Sequence, residues 1–180
     1  MIREYLSKMK GGAKSPPGVG ITEVIWSWLG AALGIGICAY LSSSYFEPLD
    51  LTLLIGSFGA SAVLVYAAIK SPLAQPRNLV GGHVISGLTG VACFNLFGGT
   101  LWIAAAMSVS LAIAMMLITK TLHPPGGATA LIAVIGGEKI HNLGFLYAFV
   151  PAGLGAIVLL IVALLVNNIS KNRRYPEYWF

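Results

Sequence analysis

Apolar residues gather into six stretches, at 22–42, 49–69, 79–97, 101–121, 125–137 and 144–166, joined by short polar or Gly/Pro-containing connections. A helix that crosses a bilayer needs about 20 residues, so five of the six are predicted to be full-length spans. The stretch at 125–137 is the exception, because its 13 residues rise only about 20 Å against a hydrocarbon core of about 30 Å. It is predicted to be a half-helix, either re-entrant or crossing with an unwound partner at residues 121–125.

That short stretch opens with His123-Pro124-Pro125-Gly126-Gly127-Ala128-Thr129-Ala130. Two prolines in a row remove two N–H donors and forbid continuation of the preceding helix. A helix restarting at about Gly126 is expected to aim free N–H groups back toward His123. In lipid, such a break persists only where it is buried in protein or lines a polar cavity.

Basic residues set the number of crossings. Arg3, Lys8, Lys10 and Lys14 precede the first stretch, Lys70 and Arg77 follow the second, Lys120 follows the fourth, and Lys171, Arg173 and Arg174 follow the sixth. The intervening connections hold Glu47, Asp50, Gly98-Gly99 and the cancelling pair Glu138-Lys139. Six crossings with both termini cytoplasmic fit this alternation. The reading divides the chain into a cytoplasmic tail at 1–20, a transmembrane domain at 21–168 and a basic, aromatic cytoplasmic tail at 169–180. Ile2, Tyr5, Leu6 and Met9 sit opposite Arg3, Lys8 and Lys10, so the first tail reads either as an amphipathic surface helix or as a disordered segment.

Composition agrees with a membrane chain. Of its 180 residues, 57% are apolar and 9% charged, against roughly 25% charged in a soluble domain, and mean hydropathy is +0.82. The net charge of +5 gathers near segment ends, which argues against a nucleic-acid partner. Cys38 and Cys93 lie inside apolar stretches and read as small hydrophobes without a disulfide. Residues 1–20 lack the apolar core of a signal peptide.

The two halves of the chain resemble each other. Trp28-Leu29-Gly30-Ala31-Ala32 matches Trp102-Ile103-Ala104-Ala105-Ala106, and Gly59-Ala60-Ser61-Ala62 matches Gly127-Ala128-Thr129-Ala130. Val84, Gly87 and Leu88 fall opposite Val150, Gly153 and Leu154, and the three matches keep their order at offsets of 74, 68 and 66. Halves of three crossings each insert with opposite orientation, an architecture that places transporter sites where broken helices meet at the midplane. The fold class expected is therefore an all-α membrane bundle of six segments in a 3+3 inverted repeat with broken half-helices. The alternative is chance recurrence of small residues that favour close helix packing.

In the repeat, Ser57-Phe58-Gly59 corresponds to Pro125-Gly126-Gly127. Two short helices are then expected to begin near mid-membrane and point their positive ends into one space. Ser57, Gly59, Ser61, Gly126, Gly127 and Thr129 are the candidate binding residues, with Pro124 and Pro125 making the break. No acidic residue lies in the central part of any stretch, and such a donor-rich site suits a small anion better than a metal cation.

His123-Pro124-Pro125 followed by Gly-Gly-Ala-Thr-Ala, together with Ser71-Pro72-Leu73-Ala74-Gln75-Pro76-Arg77-Asn78, resembles the HPP family of integral membrane proteins over roughly residues 15–168. The resemblance implies four transmembrane helices, fewer than the hydropathy pattern predicts, since short broken helices escape hydropathy windows. It also implies nitrite or a similar small anion as substrate, because plastid and cyanobacterial members are associated with nitrite transport. Many bacterial members have no assigned activity. Some relatives carry a regulatory CBS-type domain, for which the residues after 168 leave no room.

Individual polar residues extend the site. His123 is expected at its cytoplasmic mouth, as anion donor or proton relay, or else as a helix-ending residue bonded to carbonyls. His83 lies within the third stretch, where a polar group is costly, and Gly81-Gly82 beside it allows another segment close; Asn95 is a weaker candidate. Lys120 serves either to draw anions in or only to satisfy the positive-inside bias, while Arg77 and Asn78 read as a cap leading into the third helix. Thr119 and Thr121 are expected to bond their own helix. Trp26, Trp28, Trp102, Tyr175, Tyr178 and Trp179 read as interfacial aromatics.

The sequence has no HExxH, no GxSxG and no paired intramembrane aspartates, so no enzymatic activity, cofactor or metal is expected. Little protein surrounds the predicted breaks, which points to a homo-oligomer, most simply a dimer. The expected location is a bacterial inner membrane, or a plastid envelope for a eukaryotic chain, with the bilayer and a small inorganic anion as partners. A non-transporting structural or regulatory membrane protein that partners another transporter is the alternative function.

Overall fold

Proline, serine and glycine decide where the apolar stretches are helical and where they are not. The computed structural model describes residues 1–180 and is built of helices and loops without strands. A short exposed helix, α1 (Ile2–Lys8), precedes α2 (Ile21–Leu41). A π-helical turn (Ser42–Phe46) and a 3₁₀ turn (Glu47–Leu49) prolong α2. Next come α3 (Ser57–Ala62), prolonged by a π-helical turn to Ala67, then α4 (Pro76–Phe97), α5 (Leu101–Ile118) and α6 (Pro124–Ile135). A single turn, α7 (Glu138–His141), a 3₁₀ turn (Gly144–Ala148) and a wide turn (Phe149–Gly153) lead into α8 (Leu154–Asn167).

Four helical segments are long and apolar enough to cross a membrane: Ile21–Leu49, Pro76–Phe97, Leu101–Ile118 and Gly144–Asn167. Ser57–Ala67 and Pro124–Ile135 are apolar but shorter. The stretch at 49–69 is thus not the full-length helix that its hydropathy predicts. Its lead is non-helical because the amides of Leu53 and Leu54 donate to Ser42 Oγ (3.1 and 3.3 Å) instead of to helical carbonyls. The last stretch is also interrupted, at Val150 (φ −134°, ψ 113°), where the following Pro151 disfavours helical backbone.

Small residues bring the helices together. The backbone of α6 passes α4 so closely that a Cβ added to Gly90 lies 2.6 Å from the Ala130 carbonyl oxygen. Gly87 meets the Ala148 backbone in the same way at 2.8 Å. In the other half, the Tyr66 ring covers Gly30 and Gly34 of α2, and the Phe58 ring lies on Gly155 of α8. Leu33, Ile37, Leu111, Ile113, Ile161 and Leu165 stay exposed, as side chains facing lipid do.

Polar contacts distinguish two opposite ends of the bundle. At one end Arg173, after α8, lies 3.6 Å from Glu23 of α2 and donates to the Tyr66 carbonyl. Burial lowers the Arg173 pKa, and the Glu23 carboxylate opposes that shift. Tyr175 is not an interfacial aromatic: it is buried, with its hydroxyl donating to the Ala74 carbonyl at 2.7 Å. Tyr178 donates to the Pro72 carbonyl at 3.3 Å. At the other end Lys139 pairs with Asp50 at 2.6 Å.

Gly155→Ala forces a methyl into the Phe58 ring, whereas Gly36 has open space around its Cβ position. Thermal unfolding of detergent-purified protein should show Gly155→Ala destabilised by about 1–3 kcal/mol. Gly36→Ala should be neutral or stabilised by up to about 1 kcal/mol.

Candidate functional site

The break before α6 is made by residue type. Pro124 and Pro125 occupy the first two helical positions, where a fixed φ suits the helix and a missing N–H leaves nothing unpaired. His123 precedes them in extended conformation (φ −139°, ψ 106°). The helix therefore starts at Pro124, two residues earlier than expected. Its first free-amide positions carry no N–H, and the Gly126 amide donates to the His123 carbonyl at 2.8 Å. At the start of α3, Phe58 and Gly59 amides likewise donate to Ile55 and Gly56 carbonyls (3.0 and 3.3 Å). Side chains add further donors where the two short helices meet, beside a Ser57 amide that pairs with no carbonyl.

The short helices run antiparallel and overlap in their first turns. Ser57 of α3 meets Thr129 of α6, 2.9 Å between hydroxyl oxygens, while Ser61 of α3 meets His123 before α6, also at 2.9 Å. End to end, the overlapped pair covers about 27 Å at 1.5 Å per residue. Against them lies α4, whose Gly82 admits the His123 Cβ and the Thr121 carbonyl; a Cβ there comes within 2.5 and 2.9 Å of them. His83, the next residue, points into the junction and is fully buried, as are Ser61, His123 and Thr129.

One carbonyl orients the whole cluster. His123 Nδ1 lies 2.8 Å from the Leu73 carbonyl oxygen, which only accepts, so Nδ1 carries the ring proton. Nε2 of a neutral His123 then accepts from the Ser61 hydroxyl. Having one proton, Ser61 accepts in turn from His83 Nε2–H at 2.8 Å. His83 Nδ1 consequently accepts from the Thr129 hydroxyl at 2.7 Å, whose proton also has the Ser57 hydroxyl oxygen (2.9 Å) and the Pro125 carbonyl (3.3 Å) within reach as acceptors. With both imidazoles uncharged, the protons from Thr129 onward all point toward Leu73. Charged rings here lack any carboxylate partner, and an unpaired buried charge is costly. Tyr147, buried at the same level, donates to the Thr129 carbonyl at 2.9 Å.

Five of the nine candidate binding residues therefore meet in one cluster: Ser57, Ser61, His83, His123 and Thr129. Gly126 stands just behind it, so close to α4 and α5 that a Cβ comes within 2.5 Å of Ser86 Oγ and 2.8 Å of Met116 Sδ. Gly59 faces open space on the outer surface. Gly127 opens on an apolar outer groove of about 560 Å³, with Val109, Ile113 and Leu131. Lys120 is exposed at a left-handed turn (φ 57°) and has no place in the cluster.

Arg77 and Asn78 act across the gap between helices rather than as a cap. They donate to the Thr119 and Leu122 carbonyls, both at 2.8 Å, and Gln75 takes the N-cap position instead. Thr119 does bond its own helix, at Met115 (2.8 Å). Asn95 is exposed, away from the cluster. Leu73 and Tyr147 were not legible beforehand. One contributes only a carbonyl, and the other is a tyrosine within an apolar stretch.

A family model described as "HPP, transmembrane region" matches residues 16–176. The chain belongs to the HPP family. Two transmembrane proteins of Dictyostelium discoideum are similar to it, one 46% identical over 98% of this chain and 58% of the relative, the other 44% identical over 99% and 64%. The chain thus spans about three fifths of the length of these relatives. No solved structure matches. In this HPP chain the tripeptide divides its work: His123 joins the polar cluster, and the two prolines begin the helix that carries Thr129.

The hydrogen-bond directions predict different tautomers for the two clustered histidines. Nitrogen NMR of ¹⁵N-histidine-labelled protein should show His123 protonated on Nδ1 and His83 on Nε2, assigned by single replacements. Two charged imidazoles, or the reverse tautomers, contradict the assignment.

Proposed function

We propose that the chain is a permease for a small inorganic anion of the nitrite class, which passes through the cluster formed by Ser61, His83 and His123. One observation carries this reading: a fully buried set of hydroxyl and imidazole donors, without a carboxylate, sits where two interrupted helices overlap. Removing an ion from water costs several kcal/mol, and charge-assisted hydrogen bonds from such donors offset much of that cost. Ser61 Oγ now stands between the two imidazoles, at 2.8 Å from His83 and 2.9 Å from His123. An entering anion takes over that place, accepting from His83 Nε2–H, while His123, whose proton sits on Nδ1, donates to it from Nε2 only after gaining a second proton.

Six crossings in two inverted halves are part of the proposal. Glu23 and Arg173 meet at one end while Asp50 and Lys139 meet at the other, which supports loops alternating between faces and both tails on one side. The offset of 68 that aligns the short helices maps the Ser57–Thr129 contact onto Pro125–Ser61, two residues from the Ser61–His123 contact. Helix neighbours follow the same exchange, with α2 packed on α8 as α5 is on α4. The face bearing Lys70, Lys120, Arg173 and Arg174 is then cytoplasmic. A cleft of about 300 Å³ on that side is lined by Lys70, Ser71, Asn172 and Arg173 together with Glu23, which faces Arg173; Lys70 is the cation there that an approaching anion meets.

The implied relatives of nitrite transport in the family make nitrite the first anion to test. Purified protein in liposomes should take up nitrite well above protein-free vesicles. His83→Gln should lower the rate by about tenfold or more, as loss of a positioned donor does, with the protein still monodisperse. No uptake of nitrite, nitrate or chloride at any pH contradicts the proposal.

A further inference from the structure

We propose that the cluster also conducts a proton, so that the anion crosses as an electroneutral pair with H⁺; this rests on the permease reading above. The chain Thr129, His83, Ser61, His123, Leu73 is continuous, with successive contacts of 2.7, 2.8, 2.9 and 2.8 Å. Each member before Leu73 is a hydroxyl or a neutral imidazole, able to accept on one side while donating on the other. It runs from Thr129 of α6, inside the bundle, to the loop before α4.

The charge balance of the surroundings calls for such a partner. No Asp, Glu, Lys or Arg belongs to α3, α5, α6, α8 or the turns at 144–153, and α4 has only Arg77, at its outer end. Arg77 is occupied by the Thr119 carbonyl, and the Tyr147 and Tyr66 hydroxyls by the Thr129 and Leu159 carbonyls. Nothing fixed in the protein neutralises an anion at this depth. A proton that the chain delivers to His123 Nε2 before the anion displaces Ser61 does.

The relay conserves atoms and charge. A proton arrives on a Thr129 Oγ1 lone pair. Thr129 passes one to His83 Nδ1, and His83 releases its Nε2 proton to Ser61. Ser61 protonates His123 Nε2, and the His123 Nδ1 proton leaves to water as the Leu73 contact opens. One proton enters, one leaves, and each ring ends in its other tautomer. The bare Nδ1 then faces the Leu73 carbonyl, lone pair against lone pair. That repulsion drives the chain back to its starting direction.

The loop end is held from outside. The carbonyls on either side of Leu73 are those of Pro72 and Ala74, which accept from Tyr178 and Tyr175. The tail thereby keeps the Leu73 carbonyl aimed at His123.

The test uses full-length protein in liposomes containing a pH dye, with membrane potential clamped by potassium and valinomycin and protein-free vesicles as control. Nitrite uptake should speed up with acid outside, acidify the interior and ignore the imposed potential. Ser61→Ala should slow the proton component by about a hundredfold, the scale of a lost proton-transfer partner, and Ser61→Thr should restore it. Wild-type uptake that follows potential without acidification overturns the relay while leaving the permease reading standing. An unchanged proton-to-nitrite ratio in Ser61→Ala also overturns it. No protein-dependent nitrite flux overturns the permease reading and the relay together.

Discussion

Backbone that leaves the helix in hydrocarbon loses its internal partners, and there is no water to replace them. The segment from Thr119 to His123 shows how this chain meets that demand. Arg77 and Asn78 donate to the Thr119 and Leu122 carbonyls, the Thr121 amide donates to Met116, and the His123 carbonyl accepts from Gly126. The loop from Tyr66 to Gln75 is treated alike. Its carbonyls at 66, 69, 71, 72, 73 and 74 accept from Arg173, Gln75, Gln75 again, Tyr178, His123 and Tyr175. Two irregular segments are therefore held mostly by side chains reaching across from other elements.

His123 belongs to both sets of bonds. Through Nδ1 it satisfies the loop, and through Nε2 it joins the buried cluster. The same interaction that keeps irregular backbone paired also fixes which way the protons of the cluster point. Fold and chemistry are linked at this one ring, and the glycine at position 82 is what lets the ring approach α4.

Much of this was legible in the residues alone. Two prolines after His123 demand a helix start, and the similarity of Gly59-Ala60-Ser61-Ala62 to Gly127-Ala128-Thr129-Ala130 points to a second short helix. Hydroxyls at 57, 61 and 129 without acidic neighbours mark a donor-rich junction, and Gly81-Gly82 marks close approach beside His83. What hydropathy hid was the non-helical lead at 51–55, because apolar residues in extended and helical backbone look alike to it. At α6, helical phase put both prolines, rather than the glycines, at the first positions, so those places carry no N–H. The tail's role was invisible because Tyr175 and Tyr178 act through their reach to backbone carbonyls, which no local pattern encodes.

The account comes down to whether an anion occupies the space between the two imidazoles. Anomalous scattering from crystals of the protein soaked with a heavy oxyanion such as selenite measures this directly. A peak within hydrogen-bonding reach of His83 and His123, with Ser61 moved aside, is the predicted result. Anion density confined to the basic surface, with the cluster still closed on itself at saturating anion, contradicts it.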